Sequence, residues 1–184
     1  MAQTDACGFV AALAAARIGA TFNQYAASPH LCERLAQYLD EYAEAPILIV
    51  GEAPGYRGAR VSGIPFTSER QLTGGGPAEA TATIVRTTLA ELGLEANVLC
   101  WNVVPTHPGT PTANRRPTRA EIEAGLPFAR VLARGRRVLA VGRLAQVALG
   151  APYVRHPSHG GAAEFRAGLL RFAVGGRRSA AFLR

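Results

Sequence analysis

The sequence predicts a three-layer α/β/α fold around a central four-stranded, mainly parallel sheet. Three observations carry that expectation. Short, continuously apolar runs alternate with longer amphipathic ones, the pattern of successive βαβ units. Pro46–Val50 contains no polar position, as a strand covered on both faces requires. Each apolar run also leads directly into a segment rich in Gly, Pro, Asn or His, the place where open α/β sheets hold their ligands.

The elements follow in order. The apolar stretch Gly8–Ala16 is too short to span a membrane, and Asp5 with no basic residue before it argues against a secretory signal. Ser28-Pro29 opens a helix, with Pro at its first position and a stripe of Leu31, Leu35, Tyr38, Leu39 and Tyr42. Pro46–Val50 is the first strand. A helix follows Gly74–Pro77 and runs to Leu92, where Gly93 closes it. Val98–Trp101 is the second strand, and a long Pro/Thr/Asn/Arg loop covers Asn102–Pro117. Thr118 and Glu121 form a capping box for a helix ending at Gly135. Val138–Val141 is the third strand, Gly142–Gly150 a short helix, and Tyr153–Arg155 the fourth strand.

Composition narrows the function. The 184 residues, 48% apolar and 18% charged, form one domain over 1–184. All twenty basic residues are Arg. With no Lys, Schiff-base chemistry on a lysine and the lysine-dependent P-loop are excluded. Residues 1–114 hold six Arg against ten acids, a formal −4, whereas 115–184 hold fourteen against three, a formal +11. That asymmetry suits a polyanion partner, although a solvated Arg face accounts for it equally well. Arg130, Arg134, Arg136 and Arg137 read as such a solvated helix end. Cys7, Cys32 and Cys100 are dispersed, which fits a reducing compartment and neither a disulfide framework nor a cysteine metal site. A cytoplasmic location, at the bacterial nucleoid, is expected.

Singly, the strand-end motifs have ordinary readings. Gly51-Glu-Ala-Pro-Gly55 is a tight turn, Phe66 a core aromatic, Asn102 a turn cap and His156 a loop histidine. In combination they say more. GEAPGYRGARVSGIPF (Gly51–Phe66), NVVPTHPG (Asn102–Gly109), RPTRAEIEAGLPF (Arg116–Phe128), VLAVGRLAQVALG (Val138–Gly150) and His156-Pro-Ser158 resemble, in this order, the uracil-DNA glycosylase superfamily. The nearest likeness is to its family-four branch, and it covers roughly residues 46–170.

The resemblance implies a monofunctional enzyme of base excision repair that hydrolyses the N-glycosidic bond of uracil, or of other deaminated bases, in single- or double-stranded DNA. The base must be flipped out of the helix to be read. Phe66 would stack on it, Asn102 would pair with N3–H and O4, and His156 would stabilise the charge growing on O2. Gly51, Glu52, Ala53, Gly55, Tyr56 and Ser158 would complete the pocket and place the attacking water. Arg115, Arg116, Arg155, Ser158, His159 and Gly160 would contact the DNA. A monomer, with no membrane partner, is expected.

The sequence departs from the family at three places. Thr106 and Gly125 stand where the family-four branch has iron–sulfur cysteines, so no metal or other cofactor is expected. Ala53 replaces the water-positioning Asp of the best-known branch, and Gly55 its thymine-excluding Tyr; Tyr56 lies one place away. One branch links covalently to DNA through a His in a basic loop; here Asn114–Pro117 has none, and His107 lies upstream. Two alternatives stand beside the enzyme: a catalytically silent DNA-binding or damage-sensing module, and an α/β enzyme acting on free nucleotides.

Overall fold

The computed structural model describes residues 5–180. Along the chain run α1 (Ala6–Ala15), α2 (Gln24–Ala27), α3 (Pro29–Glu41), β1 (Ile47–Gly51), α4 (Ala59–Ser62), α5 (Glu69–Thr73) and α6 (Ala80–Glu91). Next come β2 (Val98–Asn102), two-residue strands β3 (Gly109–Thr110) and β4 (Ala113–Asn114), and α7 (Arg119–Ala133). The chain finishes with β5 (Arg137–Val141), α8 (Arg143–Leu149), β6 (Tyr153–Val154) and α9 (Ala162–Ala180).

The main sheet has four strands in the order β2-β1-β5-β6, every pair parallel. Successive side chains on a strand point to opposite faces, and both faces here are covered. Leu48, Val50, Leu99, Trp101 and Ala140 pack with α1, α3, α7 and α8. Ile47, Ile49, Val98, Cys100, Leu139 and Val141 pack with α6 and α9. Burial on both sides is why these strands read as unbroken apolar runs.

The structure adds to the sequence reading and corrects it. Gly8–Ala16 belongs largely to α1, whose Phe9 meets Trp101 and Phe128 edge-on at centroid distances of 5.5 and 5.6 Å. Ser28 makes no side-chain cap to α3, so Pro29 at the first position is the start signal that works there; Asn23 instead caps α2. The capping box of Thr118 and Glu121 is present. Arg155 falls just beyond β6. Arg136 and Arg137 are not a solvated helix end. Arg136 donates to the carbonyls of Tyr42, Ala43, Ala45 and Leu132, and Arg137 to those of Phe172 and Ala173 while lying over the Phe172 ring. The carbonyl of Leu132, in the last turn of α7, and that of Tyr42, just after α3, lack intrahelical partners, which the Arg136 guanidinium supplies, whereas Arg137 reaches carbonyls inside α9.

At β2 the Tyr38 hydroxyl accepts from the Cys100 N–H at 2.8 Å and donates to its carbonyl at 3.4 Å. Among the described residues, no helix is long and apolar enough to cross a membrane.

Candidate active site

The carboxyl ends of β1, β2, β5 and β6 open into one cleft of about 800 Å³. Twelve of the fourteen residues singled out from the sequence line it; Gly51 and Gly160 do not. Gly51 acts from beneath. A Cβ there would overlap the Phe66 ring and come within 3.0 Å of Asn102 Oδ1, so glycine allows the ring and the amide to meet at the floor. Phe66 holds its position with a φ of +52°, a left-handed conformation costing a non-glycine residue about 1–2 kcal/mol. Its ring is buried.

Asn102, the last residue of β2, is 4% exposed. Its carboxamide makes no hydrogen bond to any described residue, and it faces the cleft. Buried amides are nearly always bonded. This one is open to a ligand that offers both a donor and an acceptor.

His156 stands across the cleft. Its Nδ1 accepts from the Ser158 N–H at 3.2 Å and lies 2.7 Å from Ser158 Oγ. An Nδ1 that accepts leaves the proton of a neutral ring on Nε2. Burial pushes the imidazole below its ordinary range, and neighbouring His159 adds to the effect. The ring is therefore neutral at physiological pH and carries an Nε2–H donor. The turn that positions it is tight: a Cβ on Gly161 would overlap the His156 carbonyl, and His159 takes a φ of +52°.

The loop after β1 carries Glu52, Ala53, Gly55 and Tyr56. Burial raises the Glu52 carboxyl, an effect opposed by the Arg116 charge. Ala53 packs against the larger core cluster. The Tyr56 N–H donates to Asn114 Oδ1 at 2.8 Å, which ties this loop to the β3–β4 hairpin. That hairpin lies inside the segment expected to be irregular, and His107 anchors it. The buried His107 ring lies between two carbonyls, Nδ1 2.8 Å from Pro54 and Nε2 2.9 Å from Thr110.

The three arginines expected at DNA differ in their commitments. Arg115 donates to both oxygens of Glu121, at 2.6 and 2.8 Å. Arg155 is engaged by Glu164 and the His159 carbonyl. Arg116 is exposed and has no side-chain partner among the described residues. Arg57, Arg143 and Glu79 also line the cleft; Arg57 and Arg143 lie inside the resembling segments without having been singled out, and Glu79 lies outside all of them.

The positions where the family-four branch has cysteines do not fit cluster ligands. Thr106 is buried, its hydroxyl 2.5 Å from that of Thr21. A Cβ on Gly125 would lie 2.5 Å from the Val103 carbonyl and 3.0 Å from Pro105 Cδ, which leaves no space for a thiolate. Gly125 serves instead to bring α7 against the segment after β2.

Comparison with known proteins agrees with this architecture. The family model of the uracil DNA glycosylase superfamily matches residues 38–172. The crystal structure of wild-type SMUG2 from Pedobacter heparinus superposes with a TM-score of 0.68, covering 97% of this chain and 99% of that one at 13% identity. At that identity the likeness is one of fold. No curated protein sequence matches.

Proposed function

The chain belongs to the uracil DNA glycosylase superfamily, and on that premise we propose that it hydrolyses the N-glycosidic bond of uracil in DNA, leaving an abasic site. One observation carries the reading: the unpartnered Asn102 carboxamide at the floor of the cleft, beside the Phe66 ring. A flipped uracil stacks on Phe66. Its N3–H donates to Asn102 Oδ1, and its O4 accepts from Asn102 Nδ2. Cytosine presents the opposite pattern at these two atoms and leaves the amide mismatched in a dry site.

His156 supplies the chemistry at O2. As the bond between C1′ and N1 breaks, its electron pair moves onto the base, and the Nε2–H donates to the oxygen where charge collects. A neutral donor suits this step, because it needs no proton delivered beforehand. Arg116 faces the phosphates as the cleft's uncommitted guanidinium of the three. With no Lys in the chain, a lysine Schiff base that would cut the strand cannot form, and only the terminal amine is left to attempt one, which supports an abasic site as the product.

The test is an oligonucleotide carrying one uracil, single-stranded or paired, incubated with the protein and then treated with heat and alkali. Cleavage at the uracil is the expected result. Tight binding without cleavage would favour the catalytically silent DNA-binding module. Hydrolysis of free deoxyuridine monophosphate, with uracil DNA left intact, would favour the nucleotide enzyme.

A further inference from the structure

Four carboxylates are buried or partly buried among the described residues: Glu52, Glu69, Glu79 and Glu121. Three have a cation. Glu69 pairs with Arg34, Glu121 with Arg115, and Glu52 lies in the field of Arg116. Glu79 has none. No salt bridge or side-chain hydrogen bond from a described residue reaches it, and burial alone pushes its carboxyl up.

Its placement is specific. Glu79 precedes α6, where an acidic side chain ordinarily turns back to the first-turn N–H groups. Here it makes no cap bond. The carboxylate turns instead to the loop after β1. A Cβ on Gly55 would overlap Glu79 Oε1, and a Cβ on Gly58 would overlap Oε2. Two glycines thus form a niche that any side chain would fill, and the niche opens on the cleft. Gly55 is four residues from Gly51, at most about 14 Å of extended chain. The carboxylate lines the same cleft as Phe66 and Asn102.

A buried anion without a counter-charge is costly, and a DNA phosphate brought beside it would be repelled. The positive charge that a nucleotide can offer appears on the sugar, when the glycosidic bond breaks. Resting on the excision reading above, we propose that Glu79 holds the attacking water and offsets the positive charge that develops on the deoxyribose. The C1′–N1 bond breaks and its electron pair leaves with N1. The water oxygen bonds to C1′, and its proton passes to the Glu79 carboxylate and then to solvent.

The experiment compares two abasic-site mimics in DNA, a pyrrolidine that is cationic and a tetrahydrofuran that is neutral. The wild-type protein should prefer the cationic mimic by about a hundredfold, the low end for transition-state mimics. Glu79→Gln should abolish that preference and leave affinity for the neutral mimic unchanged, and Glu79→Asp should keep part of it. Single-turnover excision of uracil by Glu79→Gln should fall by about a hundredfold, as for loss of a general base. A merely structural role would weaken both mimics alike. Survival of the preference in Glu79→Gln, or its absence from the wild-type protein, would overturn the assignment. Failure of the excision reading is read separately, as a wild-type protein that releases no uracil.

Discussion

Two sides of the cleft are built on opposite principles. On the side formed by residues 106–121, the polar groups other than Arg116 have partners: His107 has Pro54 and Thr110, Asn114 has Tyr56, Thr106 has Thr21, and Arg115 has Glu121. At the floor and opposite side, Asn102, Glu79 and the Nε2 edge of His156 have no such partners. Groups with partners fix the shape of the cleft, and groups without partners are aimed at what enters it. Substitutions of the partnered groups should therefore change stability, and those of the unpartnered ones, Arg116 included, should change chemistry or DNA binding.

The largest effect is expected on the open side. His156→Ala should slow single-turnover excision about a hundred- to a thousandfold, the loss typical of one oxyanion donor, with little change in affinity for uracil DNA. The pH profile sharpens the point. Protonating Nδ1 would break its bond from the Ser158 N–H, and burial already holds this imidazole below its ordinary range. Excision should be flat through neutral pH and fall only below that ordinary range. A fall beginning above neutrality would contradict the assignment.

Next is Glu121, on the engaged side. Glu121→Ala removes half of the capping box and leaves Arg115 without its partner, at a cost of about 2–3 kcal/mol in denaturant melts. Excision by the fraction still folded should be close to normal. The Glu121 carboxyl is lowered to about 2, chiefly by its bonds from Arg115. A carboxylate lowered on folding stabilises above its ordinary range, and that contribution is lost as pH falls from there towards 2. The acid sensitivity of the wild-type protein should accordingly be blunted in this variant.

The smallest effect separates the arginines. Arg116→Ala should reduce the slope of log affinity against log salt by about one unit, as expected when one phosphate contact is lost. Arg115→Ala should leave the slope nearly unchanged and lower stability instead. If the two exchange behaviours, the division between partnered and unpartnered groups fails at this point.

Much of this was legible in the sequence. The strands could be read because both faces are buried, and α7 because its capping box lies within four consecutive residues. Residues at or just beyond strand ends, Glu52, Asn102 and His156, came to one cleft because a parallel sheet gathers its carboxyl ends. α9 was not legible. It holds glycine at positions 168, 175 and 176, poor helix formers, yet a Cβ on Gly168 would come 2.5 Å from Val154 Cγ2. The glycine there serves contact with β6, and Phe165 and Leu169 hold the helix against the sheet. Glu79 was hidden for a related reason. Nothing in Ala78–Ala80 signals chemistry, and its place against Gly55 and Gly58 arises only from the tertiary fold.

Tyr38 bears on the outer edge of the sheet. An outer strand such as β2 offers unpaired amide groups that can template a second chain, the first step towards a continuous intermolecular sheet. The phenol oxygen of Tyr38 already occupies both the donor and the acceptor of Cys100, at the strand's midpoint. An incoming strand would have to dislodge a buried ring before it could form its central pair of bonds. One oxygen atom thus closes the outer hydrogen-bonding groups at the centre of a strand that is buried along its whole length.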